Sequence, residues 1–411
     1  MRYPMRHLKP GTAPFTLLLG ALVSLQLLGM AITLPVLPSI TATFDSTPEA
    51  TQLTISAFLA GIALSQLVYG ALSDRFGRKP VLMAGLALYT LAGIGCALAP
   101  SIEWLTGLRV LQGMGATSGM VIVRAMVRDL FEGRQAVQMM SKLGGMIAAM
   151  PMLAPLLGGW LLPLTGWRGI FGVLAATSLV ILVTSATVLG ESIRERDPTA
   201  TDPRRLLVNC WRFVTTPGCL AFVMIIFFSN GAMYGYSATS SFVLMTVFGI
   251  SSAHYGWFLA MTGIVMVGSS LLSERIARHW SIRKTLSIIM LMMMVSGLAV
   301  LACTLIATHF VVRGPAGIAL MIVPMLFYGF TLGIQFPNAT AAALQPVPEI
   351  SGVASALTGS AQMLGAGFFV WLGGRLFDGT PATIGYGIAI GGVCACTTYF
   401  VFGRRYAPDR H

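Results

Sequence analysis

The chain has 411 residues, of which 55% are hydrophobic and only 10% charged. A soluble domain carries roughly 25% charged residues, so most of this chain has no water-facing surface to cover, and a water-soluble enzyme or binding module is excluded. The formal net charge of +12 would fit a nucleic-acid partner only if the basic residues shared a surface, and their positions along the chain decide that.

Apolar runs of about 18 residues or more are candidates to cross a bilayer. In chain order they fall near 14–38, 50–71, 80–99, 104–126, 139–161, 169–190, 217–238, 255–273, 285–306, 316–336, 352–373 and 383–402. The first run is far longer than the core of a cleavable signal peptide and reads as a retained helix. With the start of the chain inside, 21 of the 26 Lys and Arg residues fall on one side. Arg168, Arg313 and Arg375 fall on the other, and Arg109 and Arg124 lie within the fourth run. That asymmetry is the positive-inside rule, with both termini cytoplasmic in a bacterial-type inner membrane. The basic charge is therefore a topology signal and not a nucleic-acid surface. The 46 glycines suit helices that pack closely in lipid. The six cysteines are scattered without metal spacing and read as small core hydrophobes.

The one long polar stretch, Glu191 to Arg212, divides the runs into two sets of six. The expected units are 1–190, a cytoplasmic loop 191–214, and 215–411. An internal echo supports the division. Gly70-Ala-Leu-Ser-Asp74-Arg75-Phe-Gly-Arg78-Lys79 follows the second run, and Ser270-Leu-Leu-Ser-Glu274-Arg275-Ile-Ala-Arg278-His279 follows the eighth. Paired bundles with a binding site between them are an architecture of secondary transporters.

The segment from Gly70 to Leu82 resembles the loop between the second and third helices of the major facilitator superfamily. The resemblance implies an all-α membrane protein with the major facilitator fold, about twelve transmembrane helices in two six-helix halves. It also implies that Asp74, Arg75 and Arg78 join a charge network closing the cytoplasmic side, with Asp129 at the end of the fourth helix as partner. Arg109 followed by Gln112-Gly113 resembles the family's fourth-helix motif. A cation at membrane depth is costly and normally faces the bundle interior or water. Ala154-Pro155-Leu-Leu-Gly158-Gly159 resembles the fifth-helix motif of the family's antiporters, in which Pro155, Gly158 and Gly159 make a pliable helix contact.

Leu34-Pro35-Val36-Leu37-Pro38, Val127-Arg128-Asp129-Leu130-Phe131, Ser241-Phe-Val-Leu-Met245, His254-Tyr255-Gly256 and Gly352 to Gly359 with Gln362 are similar to the bicyclomycin/chloramphenicol-resistance (Bcr/CflA) drug-efflux branch. That branch implies multidrug efflux by drug:proton antiport, with the proton gradient as energy source and no cofactor or metal. One departure stands out. Many relatives carry an Asp four residues before the first Pro of P-x-x-P, and here that position is Ala31. None of the fourteen acids falls in the middle of a run. An uncoupled facilitator, or an exporter of a polar or anionic metabolite, is the alternative this leaves open, and a non-transporting sensor a remote one. No nucleophile–base pair lies within a run, so an intramembrane enzyme is not expected.

On a helix Arg124 lies about 22 Å beyond Arg109 and about 60° around, so the two could share a cavity-lining face with Gly113 and Met120. The expected substrate cavity is lined by Gln26, Arg109, Gln112, Arg124, Asn230, Tyr234, Gln335 and Gln362, with Asn230 and Tyr234 one turn apart. The expected partners are a small, drug-like molecule and the lipid bilayer, and one chain suffices as a monomer.

Overall fold

The computed structural model describes residues 8–193, 195–312 and 314–409. Of the basic residues counted above, Arg2, Arg6, Arg194, Arg313 and Arg410 lie outside the described residues. Among the described residues every predicted run is helical and there is no strand. Lipid offers no hydrogen bonds to a backbone, so a chain this apolar must satisfy its amides within each helix.

The first four spans are α1 (Ala13–Phe44), α2 (Pro48–Phe76), α3 (Arg78–Ala97) and α4 (Ile102–Leu130). The next apolar stretch, Gly133–Val188, is helical for 56 residues but breaks at Gly166, whose φ of 65° and ψ of 177° lie outside the helical region. Only glycine adopts that conformation without strain. The stretch is therefore two spans, α5 over residues 133–165 and α6 over residues 167–188. The remaining spans are α7 (Cys219–Val247), α8 (Ser252–Ala277), α9 (Ile282–His309), α10 (Gly314–Leu344), α11 (Pro348–Arg375) and α12 (Ala382–Tyr406). Among the described residues eleven continuous stretches thus supply twelve spans.

Helix ends follow local chemistry. The side chains of Thr47, Ser101, Ser251 and Ser281 each accept an amide N–H at the start of α2, α4, α8 and α9, satisfying donors that the helix itself leaves open. Gly77, at φ 104°, ends α2 and starts α3 with no intervening residue. Within α1 the helix gives way to one tight turn at Leu34–Val36, where Pro35 and Pro38 supply no amide donor. The polar stretch between α6 and α7 contains a helix of its own, Pro203–Thr215, which buries Phe213 and exposes Leu207 and Trp211.

The two sets of six helices meet along α2–α11 and α5–α8. Both seams are tight at the end away from the linker. There Ser252 Oγ donates to the Gly159 carbonyl at 2.9 Å and Ser56 Oγ to the Gly367 carbonyl at 2.8 Å. Thr239 Oγ1 donates to Gln52 Oε1 at 3.3 Å, and Arg375 pairs with Glu49 at 3.4 Å. A Cβ on Gly159 would stand 2.4 Å from the Ser252 carbonyl oxygen, and one on Gly256 2.8 Å from that of Pro155. Those distances admit no side chain, so the glycines set how closely the helices approach. Toward the linker the α5–α8 seam parts and a cavity opens.

Gly159→Leu is expected to pry this end apart. Overpacking a close contact costs about 1–3 kcal/mol, enough to shift a two-state equilibrium by about five- to 150-fold. Spin labels at Ala42 and Leu376, both exposed and in opposite helix sets at this end, should then report longer distances than in the parent. An unchanged distance distribution would show that Gly159 does not hold the seam.

Candidate substrate cavity and charge cluster

At the linker end the turn at Gly77 aims the Arg78 side chain back under α2 and α4. It is buried, donates from Nε to Asp129 Oδ2 at 2.9 Å and from a terminal nitrogen to Ser73 Oγ at 2.7 Å, and pairs with Asp74. Asp129 also accepts from Ser192 Oγ at 3.1 Å. The predicted set of Asp74, Arg78 and Asp129 is thus brought together, across 51 residues of chain in the case of Asp129. Arg75 is not part of it. One residue after Asp74 on a helix it points elsewhere, and it is exposed and donates to Thr201 in the linker.

Sequence reasoning missed Glu191 and Lys79. The Glu191 carboxylate accepts the amides of Arg78 (2.9 Å) and Lys79 (3.2 Å) at the start of α3 and those of Ser192 and Ile193. A carboxylate at a helix N-terminus satisfies free N–H groups and meets the positive end of the helix dipole. Lys79 Nζ reciprocates, donating to the Ala186 and Leu189 carbonyls at the end of α6. The one signal available was position, since Glu191 is the first acid after the sixth apolar run. The linker is tied to the same loop by the Asp197 amide, which donates to the Asp74 carbonyl at 3.1 Å. Hydrogen bonds from the Thr199 hydroxyl and amide, then the nearby Arg205, hold the Asp197 carboxyl below the ordinary carboxylate range.

Between the two helix sets lies a cavity of about 860 Å³. Its walls are Leu27, Met30, Ala31 and Leu34 of α1, small residues of α5 and α8, Asn230, Met233 and Tyr234 of α7, Leu332 and Phe336 of α10, and Gln362 of α11. Gln362 Nε2 donates to Asn230 Oδ1 at 3.2 Å. Among the described residues no Asp, Glu, Lys, Arg or His lines it. Ala31 is on its wall, so the position that carries an acid in many relatives presents a methyl group here.

Of the expected cavity residues, Asn230, Tyr234 and Gln362 line this cavity and the others do not. Gln26, Arg109, Gln112 and Gln335 are buried inside the helix sets and do not line the cavity. Arg109 donates to the Gly29 carbonyl (3.2 Å) and Gln112 Oε1 (2.7 Å), and its guanidinium sits 4.0 Å from the Phe58 ring centre. Gln335 accepts from Ser229 at 3.0 Å. Arg124 is exposed and lines a second cleft of about 410 Å³ with Gln66, Arg128, Arg205 and the start of α11. The expectation that Arg109 and Arg124 line one cavity is corrected accordingly. A separation of about 22 Å along the helix carries one from the packed core to the linker-end mouth. Pro155 lies on the cavity wall, and Gly158 and Gly159 touch backbone on α1 (Ile32) and α8 (Ser252), respectively.

Among the described residues, twelve spans in two sets of six around a central cavity, with ion pairs at helix ends or in the linker, have the architecture of a secondary carrier. The family model for the Major Facilitator Superfamily matches residues 19–370, and the chain belongs to that superfamily. It is a multi-pass membrane transporter and not an enzyme. It is 29% identical over 384 residues to the multidrug resistance protein MdtL of Escherichia fergusonii, covering 92% of this chain and 91% of that one. It is 26% identical over 349 residues to a bicyclomycin resistance protein homolog of Haemophilus influenzae, covering 84% and 85%. The fold matches a crystal structure of a D-xylose-proton symporter with a TM-score of 0.72 at 18% identity, covering 97% of this chain and 99% of that one.

Asp129→Asn should lower stability by about 1–3 kcal/mol, because it leaves the buried Arg78 guanidinium short of a charged acceptor. The second half echoes Arg78 with its other partner, Asp74, as Arg278–Glu274, which is exposed on both sides, so Glu274→Gln should cost about 0–1 kcal/mol. Thermal unfolding of the two variants in detergent makes the comparison, and equal losses would show that burial of Arg78 adds nothing.

Proposed function

We propose that the protein exports bulky, largely apolar small molecules across a bacterial inner membrane by alternating access, in exchange for protons. The observation that carries this reading is the chemistry of the cavity. A space of about 860 Å³ takes a drug-sized molecule. Its walls offer aliphatic, methionine and aromatic surface with a few neutral hydrogen-bonding groups at Asn230, Tyr234 and Gln362. Methionine-rich walls adapt to ligands of different shape, which suits a varied substrate range. The resistance proteins among the relatives support the same class.

In this reading the linker end is cytoplasmic, which the distribution of Lys and Arg supports, and the cavity is open to that side. The units 1–190 and 215–411 rock about the cavity while 191–214 tethers them, and a single chain suffices. Asp74, Arg78 and Asp129 hold the cytoplasmic ends of α2, α3 and α4 together. Pro155, Gly158 and Gly159 form the pliable contact. Ala31 removes the acid by which a cavity would sense protons on both sides, so the exchanged proton binds elsewhere, and Asp129 with its neighbours is the set to test. Ala31 also favours a second reading, transport without proton exchange.

Everted vesicles containing the protein separate the two. Phenicols, bicyclomycin-like compounds, lipophilic cations and small anionic metabolites are added while internal pH is followed, against vesicles lacking the protein. Proton release on adding an apolar drug is the expected outcome, and Asp129→Asn should abolish it. Solute uptake without a proton signal would overturn exchange and leave the uncoupled carrier. Uptake confined to anions would overturn the substrate class.

A further inference from the structure

The second cleft at the linker end, of about 410 Å³, gathers residues from both halves and from the segment that joins them. Arg124 and Arg128 come from α4, Arg205 and Asn209 from the linker helix Pro203–Thr215, and Ser351 and Ser355 from the start of α11. Its two acids are already engaged. Asp74 pairs with Arg78, and Asp197 accepts from Arg205 at 2.8 Å. Arg124 and Arg128 belong to none of the ion pairs among the described residues. The cleft thus holds two arginines with no carboxylate to answer them.

These two stand four residues apart on α4, one turn along the same face, where like charges repel. Fixing topology asks only for basic residues somewhere at this end. Arg204 meets that need from outside the cleft, on the same short helix as Arg205. What the cleft adds is convergence. Guanidinium groups approach from α4 and from the linker, and Asn209, Ser351 and Ser355 bring neutral hydrogen-bonding groups to the same space. A carboxylate presents two oxygens in one plane, which a single arginine fork can satisfy. A phosphate has oxygens for several donors arriving from different sides. A phosphomonoester also carries about −1.5 to −2 charge near neutral pH, close to what two unpaired arginines offset.

We propose that this cleft binds a phosphomonoester-type anion, and that the bound anion holds the linker end open. Its donors belong to the first half, the linker and the second half, so their spacing changes when one half rocks against the other. An anion fitted to the present spacing favours the arrangement in which the central cavity faces the linker end, by its difference in affinity between the two states. Binding stands on the cleft alone, and the effect on opening rests on the alternating-access reading given above. Two sources share this chemistry, a soluble phosphate and the headgroup of phosphatidic acid.

Thermal unfolding of the full chain in nanodiscs tests the site, because a ligand that binds only the folded state raises the midpoint. One arm uses phosphatidylcholine alone, with sodium phosphate set against sodium chloride at equal ionic strength. The other uses equal parts of phosphatidylcholine and phosphatidic acid in phosphate-free buffer. A rise with sodium phosphate assigns a soluble ligand, and a rise only with phosphatidic acid assigns the headgroup. The rise should persist in Arg204→Gln and be lost when Arg124→Gln and Arg128→Gln are combined. Gly352→Trp should lose it too, since Gly352 lines the cleft with nothing within 4 Å of an added Cβ and the change keeps every charge. No rise in either arm, or a rise that survives in the double variant or in Gly352→Trp, would overturn the site. Nitroxides at Val137→Cys and Ala277→Cys, exposed positions in opposite halves at the linker end, read the opening in a chain whose six native cysteines are replaced. The anion should raise the ratio of long to short distances by about fivefold or more. A thermal shift with distances unchanged would overturn the effect on opening. Distances fixed under both the anion and Gly159→Leu would count against alternating access instead, with the thermal shift still deciding the site.

Discussion

The arrangement depends on contacts that no side chain could make. Lipid tails are as apolar as leucine, so burial alone cannot drive one membrane helix against another, and close packing has to do it. Here the closest inter-set approaches of glycine to backbone are Gly159 against Ser252, Gly256 against Pro155, and Gly374 against Glu49. All three lie at the end away from the linker. Where glycines meet backbone the seams are shut, and where glycines face empty space the cavity is open. The same residue type thus marks the closed contact on one side and the room to close on the other.

Charge follows a complementary rule. The ion pairs among the described residues lie at helix ends or in the linker, where water or headgroups offset the cost of a charge. Arg109 is the departure. It is fully buried without a carboxylate, and only a carbonyl, the Gln112 amide oxygen and two aromatic faces attend it, with Nε and one terminal nitrogen left without a partner. A guanidinium tolerates such a place better than an ammonium would, being more weakly hydrated and able to stack on rings. Its depth within α1–α6 explains why it adds no charge to the cavity.

Composition and periodic apolar runs carried the fold, because a bilayer permits few alternatives to spanning helices. The α5–α6 junction is the instructive boundary. A gap of several residues was expected around 162–168, whereas one glycine with positive φ suffices. Residues of the charge cluster were named by resemblance, not by spacing. Gly77 interrupts the helix between Asp74 and Arg78, so the four-residue interval alone does not bring them together. Glu191 was not named, because capping a helix 113 residues earlier in the chain is a fact of packing alone. For the polar residues inside spans, the helices are apolar on all sides and periodicity names no inward face. Asn230 and Gln335 look alike in sequence, yet one lines the cavity and the other bonds Ser229 within a helix set.

The same absence of charge that makes the cavity suited to apolar molecules bears on how transport is driven. An acid on the cavity wall couples substrate and proton by direct competition for one place. With Ala31 there, competition is not available, and any coupling has to pass through the conformational equilibrium, with proton and substrate each favouring one state of the two halves. A group can serve this purpose only if its surroundings differ between the states. In the reading proposed above, Asp129 is the group placed for this. It is shared between a buried arginine of α3 and a serine that opens the linker, and the linker is the segment that must follow any motion of one half against the other. Loss of the Asp129 charge would weaken both links at once, whatever occupies the cavity.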